Sequence, residues 1–260
     1  MIGKNKLKLI KSLAQKKYRL KEQSFLTEGD KIVLEVLESE IKVKELFATP
    51  DFISENKKFI SNAAQVIEST SAEIKKASLL QQPQNCLAIC QLPSQPQLPP
   101  NPEGFLLFLD GIQDPGNLGT IIRTCDWFGI KYLFCSPDTA DAFNPKVIQA
   151  SMGSFTRVKT IFIPFDELSV HLQKSQIPFY GTFLDGKNIY TENLPDNALI
   201  VLGNEGRGIR NEVADKISFP LNIPSFNPSE KKAESLNVAV AAAIICNEFA
   251  RKKFAIRNES

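Results

Sequence analysis

The sequence predicts an α/β protein in two parts: a larger C-terminal unit on a mostly parallel sheet, preceded by a smaller α/β unit. Three observations carry this expectation. Residues 105–109 are wholly apolar, and an apolar run without alternation marks a strand buried on both faces, as parallel sheets require. Comparable runs recur at 132–135, 160–163, 179–183 and 199–202, with helix-patterned stretches between them, which is the alternation of an α/β layer structure. Finally, residues 91–103 read QLPSQPQLPPNPE. Proline fixes φ and removes an amide donor, so this stretch is a semi-rigid linker.

The expected division is therefore 1–92, a linker over 93–103, and 104–260. In the first part, Leu7, Leu9, Ile10 and Leu13 recur among lysines and predict one amphipathic helix over 4–17. A short strand follows at 25–27, and Gly29 opens a helix carrying Ile32, Val33, Val36 and Leu37. A strand at 45–49, a short helix at 51–57, a strand at 65–68, a helix at 71–78 and a strand at 86–91 complete this part. In the second part, helices are expected over 116–128, 146–152, 166–174 and 210–216. The last helix covers 235–253, where Ala239, Ala241, Ala242 and Ala243 allow close packing.

Composition narrows the function. The chain has 260 residues and a net charge of +2, so the whole molecule is no polycation. The charge is uneven, however: Lys4, Lys6, Lys8, Lys11, Lys16, Lys17, Arg19 and Lys21 all precede the first carboxylate, Glu22. Such a run fits salt-sensitive pairing with phosphates and fits a solvated helix face equally well. Five cysteines, an odd number with no C-x-x-C, argue against a zinc site or a disulfide framework and suit a reducing cytosol. No apolar segment follows the basic N-terminus, so no signal peptide is expected. The longest apolar stretch, 238–246, is far short of the roughly 20 residues that span a bilayer. The expectation is a soluble, cytoplasmic protein with no membrane partner.

Three loops beside buried strands carry candidate chemistry, because ligand sites in open α/β sheets gather where strands end. The first is Asp110-Gly-Ile-Gln-Asp-Pro-Gly-Asn-Leu-Gly-Thr-Ile-Ile-Arg123. Asn117 is expected to cap the following helix, and Arg123 shares a face with Gly116 and Gly119. A turn plus a surface arginine is the plain alternative. The second is Leu199-Ile-Val-Leu-Gly-Asn-Glu-Gly-Arg-Gly208, where glycines straddle Glu205. It is not the dinucleotide fingerprint G-x-G-x-x-G, and no acidic residue answers it about 20 residues on, which argues against a nucleotide-dependent Rossmann enzyme. The third is Ile223-Pro224, a polar stretch, then Glu234-Ser-Leu-Asn237 at the start of the last helix. Helix N-termini offer free amides and a positive dipole end, and simple capping by Ser235 is the plain alternative. The single histidine, His171, has no triad partners and reads as structural. Trp127 and Phe128 read as core or subunit-contact residues.

Taken together, the three segments resemble the three motifs of the SpoU/TrmH RNA 2′-O-ribose methyltransferases of the SPOUT superfamily, in the right order across the C-terminal part. Lys17-Tyr-Arg-x-Lys and Phe25-Leu-x-Glu28-Gly29 are similar to the L30e-like RNA-binding domain that precedes that catalytic domain in some members. The resemblance implies a deep trefoil knot, a homodimer with its site at the subunit interface, and S-adenosylmethionine as methyl donor without a metal. It implies cofactor contacts at Thr182, Leu202, Gly203, Ile223 and Leu236, mainly through the backbone. Arg123 would lie beside the target ribose and phosphate, with Asn117, Glu205, Ser235 and Asn237 orienting the site. A guanidinium holds its proton too firmly for an easy base role, so binding phosphate and stabilising a developing alkoxide suits Arg123 better. The substrate implied is RNA, with 23S rRNA favoured over tRNA. The alternatives are a tRNA 2′-O-methyltransferase and a catalytically inactive RNA-binding protein. One departure stands out: residues 225–234 are longer than the matching stretch of the family and lack its glycine, which bears on cofactor and substrate access.

Overall fold

A computed structural model describes residues 2–229, 231 and 233–258. In chain order the elements are α1 (Lys4–Ser12), α2 (Lys16–Glu22), β1 (Ser24–Glu28), α3 (Asp30–Leu37), β2 (Val43–Ala48), α4 (Pro50–Glu55), α5 (Lys57–Ile60), β3 (Val66–Glu68), α6 (Ser71–Ala77) and β4 (Cys86–Gln91). They continue as β5 (Phe105–Asp110), α7 (Pro115–Trp127), β6 (Tyr132–Cys135), α8 (Pro145–Ser151), a 3-10 turn (Ser154–Thr156), β7 (Lys159–Phe162), α9 (Phe165–Gln173), β8 (Phe179–Asn188), β9 (Ala198–Gly203), α10 (Asn211–Ala214), β10 (Phe219–Asn222) and α11 (Val238–Asn258). Among the described residues no helix is long and apolar enough to cross a membrane.

The chain forms two compact units. The first holds Met1–Ser94 together with Asp141–Arg157; the second holds Gln95–Ala140 and Val158–Ser260. The division expected from sequence placed 141–157 in the C-terminal part. Packing places it in the first unit, because Ile148, Phe143 and Phe155 complete a core around Phe25, Val36 and Leu46.

In the first unit the strand order is β1-β4-β2-β3, antiparallel except for β2 and β3. Successive strand side chains point to opposite faces. Phe25, Leu46 and Ala88 therefore enter one cluster while Leu26, Phe47 and Ile89 enter another, and helices cover both faces. The single helix expected over 4–17 is two. Arg19, 2% exposed, donates through Nη1 to the carbonyls of Leu13 (2.7 Å) and Ala14 (2.9 Å), and through Nη2 to Asp141 (2.6 Å). The helix breaks where that buried cation takes the carbonyls.

In the second unit six parallel strands run in the order β10-β8-β9-β5-β6-β7. The central strand β5 is buried from Leu106 to Asp110, which explains its unbroken apolar sequence. Strand β10 escaped the sequence reading because it is short and contains Pro220; at a sheet edge, proline needs no outward ladder donor.

Candidate active site

The pairing of β5 with β9 runs on to Asp110 opposite Gly203, so the loops that follow these strands start side by side. After β5 the chain turns at Gly111, whose φ of +72° lies in the left-handed region open to glycine. Asp114 then caps α7, its carboxylate accepting from the Asn117 amide at 2.8 Å, with Pro115 at the first helical position. This corrects the expectation that Asn117 caps the helix. Freed of that task, the Asn117 side chain reaches outward.

What it reaches is the other two motifs. Asn117 Nδ2 donates to Glu205 Oε1 at 2.8 Å, and Asn237 Nδ2 donates to Asn117 Oδ1 at 2.9 Å. Asn237 in turn caps α11, its Oδ1 accepting from the amides of Ala239 (2.9 Å) and Val240 (3.3 Å). The cap of the last helix is thus Asn237 and not Ser235, which is exposed three residues before the first turn. One chain of carboxamide and carboxylate groups therefore ties the three segments together.

The loop carrying Glu205 is held largely by Asn204 and Arg210, which sequence reasoning did not select. Asn204 and Gly208 exchange two backbone hydrogen bonds, at 3.0 and 2.9 Å. The Asn204 Oδ1 accepts from the amides of Gly206 (3.0 Å) and Arg207 (3.1 Å). Its Nδ2 donates to the Gly111 carbonyl (2.7 Å) and to Glu205 Oε2 (3.3 Å). A side chain at Gly203 would overlap the backbone of Gly208 and Ile209, so the strand end must be glycine. Below the loop, Asp110 is 1% exposed and receives the Arg210 amide and Nε, each at 2.8 Å, as well as Nη2. That hydrogen bond holds the Arg210 guanidinium above its ordinary range. Ser136 Oγ accepts from the Gly111 amide at 2.8 Å and donates to Asp138 at 2.6 Å, which pulls the Asp138 carboxyl down. A carboxylate closing an apolar strand, Asp110, is the one signal that marked this clamp in sequence.

Arg123 is not in the network. It lies six positions past Asn117, exposed on another flank of α7, with no hydrogen bond or ion pair among the described residues. Ser235 likewise has none among the described residues. Trp127, on the face of α7 shared with Arg123, is 86% exposed, so the core reading of that residue fails.

The expected cofactor contacts flank the same strand ends. The β8–β9 ladder stops at Gly181 opposite Val201, and β8 rejoins β10 only at Lys187. Residues 182–186 leave the ladder between these points, with Thr182 Oγ1 donating to Val201 O at 3.4 Å. Leu202 is buried, Gly203 and Ile223 are half-buried, and Leu236 is exposed. Cysteine chemistry is unavailable. All five thiols are free and buried, and burial pushes every one up, Cys90 and Cys246 to about 12. His171 Nε2 bonds the Pro99 carbonyl at 2.8 Å, a structural role.

The site is a set of strand-end loops on a parallel α/β sheet, joined by Asn117, Glu205 and Asn237, and comparison with known proteins gives the class, that of rRNA methylases, and the family. The chain belongs to the SpoU rRNA methylase family, whose model matches residues 104–247; the MRM3-like substrate binding domain matches residues 4–88. It is similar to the 23S rRNA (guanosine(2553)-2′-O)-methyltransferase RlmP of Bacillus subtilis, 32% identical over 92% of this chain and 94% of that protein. The 23S rRNA (guanosine-2′-O-)-methyltransferase RlmB of Neisseria meningitidis is 33% identical, over 60% of this chain and 61% of its own length. Among solved structures, a TrmH-family protein from Porphyromonas gingivalis superposes with a TM-score of 0.84 at 41% identity, covering 97% of this chain and 99% of that one. An AdoMet-bound rRNA methyltransferase from Sinorhizobium meliloti gives 0.83 at 28% identity, over 95% and 94%.

Proposed function

We propose that this protein methylates a ribose 2′-hydroxyl in 23S rRNA, using S-adenosylmethionine. The observation that carries the reading is the hydrogen-bonded chain Asn237–Asn117–Glu205, which gathers the three motifs at the edge of a parallel sheet. The similarity to RlmP along nearly the whole chain favours 23S rRNA over tRNA. Free, buried cysteines suit a reducing cytoplasm.

The residues fit the cofactor. Thr182, Leu202 and Gly203 lie just beyond the last β8–β9 pair, with Leu202 and Gly203 still held by β5, and these strand ends offer backbone donors and acceptors, while Ile223 and Leu236 supply apolar surface. These five would hold S-adenosylmethionine, which supplies a methyl group on a sulfonium whose leaving group is neutral. The protein then needs no oxyanion hole, and its task is alignment of the nucleophile, where correct orientation is worth several powers of ten. Arg123, unpaired among the described residues, binds the RNA phosphate as a two-pronged donor and steadies charge developing on the ribose oxygen. Asn117, Glu205 and Asn237 fix the loops around that oxygen, and Ser235 stands ready at the approach to α11. By likeness to the family, the stretch 225–234, of which residues 230 and 232 lie outside the described residues, bears on access to the cofactor and substrate.

The reading extends to architecture. Residues 1–92 serve as the RNA substrate-binding domain, 93–103 as linker and 104–260 as the catalytic domain, apart from 141–157, which pack with the first unit, and the family's trefoil knot lies in the catalytic part. The working form is a homodimer built on the exposed face of α7, where Trp127 and Arg123 lie together.

The test is transfer of labelled methyl to RNA from cells lacking the gene. Wild type is expected to place label on a 2′-O-methyl nucleotide of 23S rRNA, and Arg123→Ala to lose about 10²–10³ in rate, as removal of one charge-stabilising donor does elsewhere. Absence of label on every RNA, with RNA binding intact, would overturn the reading.

A further inference from the structure

The basic N-terminus was open to two readings, and the structure sorts its cations. On α1, Lys6 turns to the body of the first unit and pairs with Glu45 at 2.7 Å. Lys4, Lys8 and Lys11 recur at i, i+4 and i+7, which places them within one narrow stripe of the helix. All three are exposed and make no ion pair among the described residues. The opposite side of α1 carries the buried Ile10 and, just past its end, the buried Leu13. On α2, Arg19 is consumed internally by Leu13, Ala14 and Asp141. Lys16, Lys17 and Lys21 are left exposed, with Lys17 Nζ 4.9 Å from the Tyr18 ring centroid. Two consecutive helices thus present six cations, and no carboxylate occurs before Glu22 to neutralise them.

We propose that the lysine stripe of α1 and the outward lysines of α2 form a docking surface for the phosphate backbone of the substrate RNA. The inference rests on the reading of this protein as an RNA methyltransferase and adds the face by which the first unit engages RNA. Cations spaced along a helix, exposed and without ion pairs among the described residues, match a polyanion, and they exchange condensed counterions for phosphate contacts without regard to sequence. The surface therefore contributes affinity and register, while the choice of nucleotide is made elsewhere.

The experiment measures binding of an in-vitro-transcribed, unmodified 23S rRNA over a salt series, with methyl transfer to the same RNA assayed separately. Three proteins are compared: wild type, the triple variant Lys4→Gln/Lys8→Gln/Lys11→Gln, and a matched variant, Lys42→Gln/Lys57→Gln/Lys58→Gln, which removes three exposed lysines elsewhere in the same unit. The stripe variant is expected to lower the slope of log K against log salt by about 2, since each lost phosphate contact removes about 0.7 for single-stranded RNA. Its KM for RNA should rise several-fold with kcat and S-adenosylmethionine binding unchanged, while the matched variant keeps the wild-type slope. An unchanged slope in the stripe variant, or an equal fall in the matched one, overturns the docking surface. Normal RNA binding without methyl transfer in wild type would instead count against the reaction, so the two failures are separable.

Discussion

At the residue scale, the site is made by side chains that hold other side chains. Asn204 uses its whole carboxamide: the oxygen satisfies two amides of its own loop, and the nitrogen spans Gly111 and Glu205. Removing it leaves those groups to water or unpaired, a loss of about 1 kcal/mol for a half-buried set. The larger consequence is positional, because a displacement of about 1 Å at a site whose work is alignment can lower the rate by about 10²-fold. Asn204→Ala is therefore expected to fold, with a melting temperature only a few degrees lower, and to lose about 10² in kcat. A rate within threefold of wild type in single-turnover assays would show that the loop keeps its shape without this side chain.

At the scale of elements, the parallel strands were legible because burial on both faces leaves an unmistakable apolar run, and β5 and β9 lie where 105–109 and 199–202 foretold. What the sequence hid were features set by contacts distant along the chain. The break between α1 and α2 depends on a guanidinium meeting Asp141, and the true caps, Asp114 and Asn237, are apparent only once Asn117 is seen to bond Glu205. The motif residues Asn117, Glu205 and Asn237 were legible as candidates; that they touch one another was not. Helix α7 poses the converse question, since Trp127 stands largely exposed on it. An exposed tryptophan is a strong anchor for a protein interface. If the α7 face forms the homodimer, Trp127→Glu should convert the protein to a monomer in sedimentation experiments while leaving its far-UV circular dichroism intact. A variant that sediments like the wild type removes Trp127 from the interface.

At the scale of the whole molecule, the chain builds its first unit from two stretches separated by more than forty residues, Met1–Ser94 and Asp141–Arg157. The second stretch contributes structure to that unit: Phe143 packs on Phe25 with ring centroids 4.8 Å apart and planes tilted by 49°, Ile148 is fully buried, and Gln149 donates to the Glu28 carbonyl at 2.8 Å. Arg157 pairs with Glu35 at its far end. No composition signal marks this, because an apolar residue on a helix carries no label of the core it joins. The assignment makes a sharp prediction. Ile148→Ala lies, in sequence, between strands β6 and β7 of the parallel sheet, yet its loss of about 2–4 kcal/mol should fall on the first unit. Hydrogen exchange is the discriminating probe, since amide protection reports the local free energy of opening. Protection should drop in β1 and β4, which enclose the cavity left behind, and remain at wild-type levels in β5 and β9. The reverse pattern would mean that α8 draws its stability from the sheet into which its sequence is inserted, and the two-segment unit would have to be abandoned.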